Sequence, residues 1–135
     1  MKLDWRCGVI TRLQALAVRT VGVLLIASPL FAHHTWAVDR TRAVTVKGTV
    51  TGVEWSNPHV QILLDVKDDS GKVEKWTAGG PGPGRMAGSG WDKNTLKPGD
   101  MITAVGYRAT DGSNLLRTEK FVLSNGQELT GYGNR

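Results

Sequence analysis

Hydrophobic and polar residues alternate along Val44-Thr-Val-Lys-Gly-Thr-Val-Thr-Gly-Val-Glu-Trp55. This two-residue period, rich in β-branched side chains, predicts a strand. Gly48 and Gly52 inside it predict a bulge or sharp bend. Ser56-Asn57-Pro58 is a turn signal, because the proline pushes Asn57 away from helical angles. His59 to Val66 reads as a second strand, Asp68 to Gly71 as a hairpin connection, and Lys72 to Ala78 as a third strand. The run Gly79-Gly-Pro-Gly-Pro-Gly84 suits neither a strand interior nor a helix, and Gly88 and Gly90 allow at most a short helical turn within Arg85 to Gly90. Trp91 is expected to fold back onto the core. Leu96-Lys-Pro-Gly-Asp100 turns the chain into a fourth strand, Met101 to Tyr107. Thr110 to Asn114 turns it into a fifth, Leu115 to Leu123, and Asn125-Gly126 turns it again.

Three strands, a connector with one helical turn at most, then two strands fit an all-β domain. The expected fold is a small five-stranded barrel resembling the OB-fold, with a small β-sandwich as the competing arrangement. The expected boundaries are a leader over 1–32, an N-terminal segment over 33–43, the β-domain over 44–130 and a tail over 131–135.

A different pattern precedes the alternation. Arg12 and Arg19 lead into Val21-Gly-Val-Leu-Leu-Ile-Ala-Ser-Pro-Leu-Phe-Ala32, an apolar run of signal-peptide length and too short for a spanning helix. Pro29 breaks the helix before a cut after Ala32, although Leu30 is larger than peptidases prefer; an uncleaved anchor is the alternative. There is no Arg-Arg pair, so the general secretory route and a periplasmic or secreted destination are expected.

The leader changes the meaning of the charge. The whole chain carries +5. Beyond Ala32, thirteen basic side chains face eleven acidic ones, which leaves about +2 and no nucleic-acid footprint. The one cysteine, Cys7, lies in the leader and ahead of its apolar run, so it is not placed as a lipid acceptor. A mature chain without cysteine has no disulfide, no thiol nucleophile and no thiolate metal site.

The three histidines hold the candidate chemistry. Cleavage after Ala32 would give His33 a free α-amine, and an amine and imidazole on one residue can chelate a metal. His34 or His59 could add another imidazole, and an all-nitrogen, open-sided set of this kind favours copper as Cu(II). The common amino-terminal copper motif needs histidine in third position, where this chain has Thr35. Solvated terminal histidines, and a His59 bonded within its own turn, are the structural alternatives.

The acids Asp65, Asp68, Asp69 and Glu74 lack the alternation of a calcium loop. The glycine-rich connector has no Lys-Ser/Thr to follow it, and no nucleophile–base relay can be assembled around Asp39 or Ser113, so no enzymatic activity is expected. Trp36, Trp55, Trp76 and Trp91 suit core and rim packing, or stacking against a planar ligand. By analogy with OB-folds, Trp55 and Asn57 beside the first connection, and Asp111 and Asn114 in the fourth, are candidate contacts for a small ligand or periplasmic protein.

The segments His33-His34-Thr-Trp-Ala-Val-Asp39, Val46-Lys-Gly-Thr-Val50, Glu54-Trp-Ser-Asn-Pro-His59, Gly90-Trp91 and Leu96-Lys-Pro-Gly-Asp100 together resemble the bacterial family called domain of unknown function 6152. The resemblance covers nearly all of the chain after the leader. It implies export and a small β-barrel, and brings no activity with it. Family members typically begin His-His-Ser-Phe, from which Thr35 and Trp36 depart conservatively. Their Ala-Arg-Arg-Gly-Trp connector is here Ala87-Gly-Ser-Gly-Trp91, without the basic pair. The expected function is therefore that of a binding or accessory protein holding copper through His33, His34 and His59. A metal-free interaction or structural module of the cell envelope is the alternative.

Overall fold

The computed structural model describes residues 36–133. The segment expected to be a leader, together with His33 and His34, lies outside the described residues. The domain consists of six strands and one short helix: β1 (Val38–Glu54), β2 (Gln61–Lys67), β3 (Val73–Gly79), α1 (Pro83–Gly88), β4 (Met101–Ala109), β5 (Leu115–Leu123) and β6 (Glu128–Thr130). The strand order is β3-β2-β1-β4-β5-β6, antiparallel throughout. A further parallel pairing sets Thr77, Ala78 and Gly79 of β3 beside Leu115, Leu116 and Arg117 of β5, so hydrogen bonding runs in a ring through β1, β2, β3, β5 and β4. Among the described residues no helix is long and apolar enough to cross a membrane.

The alternating pattern supplies the core. Val46 and Val50 of β1, Ile62 and Leu64 of β2, Ile102 and Ala104 of β4, and Leu116 and Phe121 of β5 point inward and are buried. In β5 the alternation slips between Thr118 and Phe121, because the pairing with β4 passes from Gly106↔Thr118 to Val105↔Lys120 and leaves Glu119 as an extra residue. That bulge presses the β5 backbone onto Gly106, where a Cβ would collide with the Arg117 carbonyl. The bend foreseen near Gly52 is also present as a register shift between Val50 and Gly52. There the Lys-Pro-Gly-Asp turn docks: Val50 N–H donates to Asp100 O at 2.8 Å and Gly99 N–H to Val50 O at 2.8 Å.

Trp91 does fold inward, its ring at 74° to Phe121 with centroids 4.9 Å apart, and its Nε1–H donates to Thr130 O at 3.1 Å. Helix α1 starts inside the glycine-proline run, earlier than the residues predict. Pro83 occupies its first turn, where no amide donor is needed, and Met86 anchors it in the core. Strand β1 begins six residues before its expected start, through an irregular stretch between Val38↔Ala109 and Ala43↔Tyr107. Asp39 shapes this stretch, accepting from Thr41 N–H at 2.9 Å and Thr41 Oγ1 at 2.5 Å. β6 was not expected at all. The residues after it, read as a tail, are tied down: Gly131 and Tyr132 N–H donate to Glu119 O and Thr118 O, both at 2.9 Å.

Candidate functional site

His59 follows the β1–β2 connection, which is fixed at its far end by Val60 N–H donating to Pro81 O at 3.1 Å and Gly80 N–H to Val60 O at 2.8 Å. Its imidazole meets two aromatic rings that come from the ends of the described chain. Trp36 lies against one side, with ring centroids 4.6 Å apart and planes at 46°. Tyr132 Oη stands 2.8 Å from His59 Nδ1, across 73 residues of sequence. Trp36 is seated on Gly79, where any Cβ would collide with the indole. His59 therefore bonds outside its own turn, and its Nε2 is buried with no hydrogen-bond partner among the described residues. A buried polar atom in that state costs about 1–3 kcal/mol unless something pairs with it.

Tyr132 is the residue that the pattern of the chain could not supply. Burial raises its pKa, against the opposing influence of Arg117 and Arg85, so the phenol keeps its proton. The Arg117 guanidinium lies 3.9 Å from the centre of its ring, and that of Arg85 5.8 Å. Arg85 Nη2 also donates to Tyr132 O at 2.7 Å. Arg117 pairs with Glu119, whose second oxygen, Oε2, is buried without a hydrogen-bond partner among the described residues. Desolvation, and next the neighbouring charge of Arg40, hold the Arg117 guanidinium below its usual pKa.

The other expected contact residues fall in two places. Trp55 is half-buried against the core, and Asn57 is exposed, with Asn57 Oδ1 and Pro58 O filling the space that a side chain at Gly82 would need. Asp111 and Asn114 belong to the β4–β5 loop, which is internally satisfied. Arg108 donates to Gly112 O at 2.8 Å, Ser113 O at 2.9 Å and Asn114 Oδ1 at 2.6 Å, while its guanidinium stacks 5.0 Å from the Trp76 ring. Asp111 Oδ1 accepts from Ser113 N–H at 2.9 Å. Beside this loop an open groove of about 1020 Å³ runs along residues 38–45 of β1, past Trp76, Arg108 and Thr110.

Among the described residues no cluster of three or more His, Cys, Asp or Glu side chains could hold a metal, and His59 is the one histidine. Any metal centre there needs donors from outside them. The model of a family of unknown function, DUF6152, matches residues 21–116, and the chain belongs to that family. No curated protein and no solved structure matches it.

Proposed function

We propose that this chain is an exported accessory protein that binds copper through His59, His33 and His34. The observation that carries the reading is the unpartnered, buried Nε2 of His59, backed by a fixed Nδ1. When Nε2 serves as a metal ligand, the remaining proton sits on Nδ1 and Nδ1–H donates to Tyr132 Oη, the arrangement that orients metal-binding imidazoles in general. Chain connectivity supports the rest. Thr35 alone separates His34 from Trp36, a span of at most about 7–8 Å between Cα atoms, and Trp36 stacks on His59. With cleavage after Ala32, the α-amine and imidazole of His33 and the imidazoles of His34 and His59 make a nitrogen-rich set suited to Cu(II). The ring of pairings, with one short helix between β3 and β4, supports reading the domain as an OB-like barrel.

The test begins with the exported protein, whose mass and first residue fix the cut. Loaded with Cu(II), it should take up one ion per chain and show nitrogen hyperfine structure in its electron paramagnetic resonance spectrum. His59→Ala should lose part of that structure. A spectrum unchanged by the substitution, or no stoichiometric uptake, overturns the reading.

A further inference from the structure

The five arginines among the described residues fall in two groups. Arg40, Arg42 and Arg108 line the groove along β1, and Arg85 and Arg117 flank the Tyr132 ring, with Arg40 near enough to Arg117 to depress its pKa. Of the seven lysines among the described residues, three make ordinary pairs elsewhere: Lys75 with Asp65 at 2.6 Å, Lys97 with Asp100 at 3.2 Å and Lys120 with Glu128 at 2.8 Å. The planar guanidinium fork matches a carboxylate in a way that an ammonium does not. The groove's own acid, Asp39, is already engaged by Thr41, and Arg108 by its loop and Trp76, so the exposed guanidinium groups of Arg40 and Arg42 face one occupied carboxylate.

The backbone adds a second feature. β1 pairs with β4 from Ala43 to Thr49, but with β2 only from Thr49 onward. The stretch Ala43–Lys47 therefore has no paired strand on its other side among the described residues, whereas Gly48 already lies against Asp65 and Val66 of β2. Eight consecutive β1 residues, 38–45, border the groove; with the irregular stretch between Val38 and Ala43 they span only Ala109 to Val105 of β4, room for an extended segment of about five residues at ~3.3 Å each.

We propose that this groove docks an extended, acidic peptide segment of a partner protein, which adds to the open edge of β1 and places carboxylates on Arg40 and Arg42. A peptide alone offers both of the needed chemistries: main-chain donors and acceptors for the strand edge, and alternate carboxylates for the arginines. A strand's side chains alternate, so one face carries the acids and the other faces Trp76. This docking is independent of the copper site.

The probe is a capped five-residue peptide of alternating glutamate and valine, titrated into the full mature protein and followed by NMR shifts of β1 and by tryptophan emission. Saturable shifts are expected over residues 38–47 and Trp76, weakening as salt rises. The lysine-for-glutamate peptide should not bind. Methylating alternate backbone nitrogens of the peptide should abolish binding in one of the two possible phases. The double variant Arg40→Ala/Arg42→Ala should weaken it about tenfold, two partly exposed charge pairs being lost, with an unchanged melting curve showing that the fold is intact. The proposal is overturned if both methylated peptides bind as the parent does, or if polyphosphate displaces the peptide at equal charge, since the groove is then a simple anion patch. It is equally overturned if no peptide binds, or if sedimentation shows a dimer that uses this edge and that peptide does not dissociate.

Discussion

The β1–β2 and β4–β5 connections look alike as sequence, each a short polar turn with groups suited to binding. The structure separates them by what those groups are already doing. In the β4–β5 loop one arginine ties down two carbonyls and the Asn114 side chain, and Asp111 bonds to its own turn. Beside the β1–β2 connection, His59 has one ring nitrogen held by Tyr132 and the other buried and unpaired. The first is a brace whose polarity is consumed internally. The second leaves a donor atom unpaired among the described residues, at an energetic cost until something pairs with it.

Substitutions can break this contrast. The largest expected effect is that of His59→Ala on copper: a loss greater than the roughly 10–100-fold that follows removal of an outer-shell partner, measured by competition with a chelator. The same substitution should also lower the metal-free melting temperature, because it removes the contact with Trp36 and leaves the Tyr132 hydroxyl without its partner. Arg108→Ala should separate the two effects, lowering stability by about 1–2 kcal/mol through three lost hydrogen bonds, with copper affinity intact; chemical denaturation measures it. Tyr132→Phe comes next, weakening copper about tenfold by freeing the imidazole ring, while calorimetry of the apo protein changes little. If Arg108→Ala proves the more damaging to copper, the contrast fails.

The smallest effect is that of acid on the turns. The Ser113 hydroxyl, followed by its amide, holds Asp111 below the usual carboxylate pKa, as Thr41 does for Asp39 and Ser70 for Asp68. Because these folded values lie below the unfolded one near 3.8, their stabilisation is complete above it and disappears as pH falls through the folded values. A melting temperature flat from pH 7 to about 5 and falling below about 4 is expected, with Asp111→Asn flattening part of that fall.

Much of the fold was legible because most strands obey the two-residue period. β5 runs from Leu115 to Leu123 as the pattern predicts, and β3 and β4 differ by one and two residues at their ends. The start of β1 was hidden because Asp39 to Arg42 forms an irregular, exposed stretch without alternation. β6 was hidden because three residues carry no period, and its existence depends on pairing with Lys120 to Val122. For the site, His59 and Trp36 could be named from chemistry and position. Tyr132 could not: its place is set by the Glu119 bulge, which offers Thr118 and Glu119 carbonyls to the chain beyond β6. No local signal joins residues 73 apart. The arginine groove was equally invisible, since net charge averages away a grouping that exists only in space.

Gly79 and Trp36 share one volume: the indole occupies the space where any side chain at residue 79 would stand. A side chain at residue 79 and an indole at residue 36, 43 positions apart, therefore exclude one another. A bulky residue acquired at 79 would be tolerated only alongside a shrunken residue at 36, so the pair should be exchanged together or not at all. For anyone redesigning this scaffold, that shared volume is a swappable module, through which the partner of His59 can be delivered from either the segment before β1 or the end of β3.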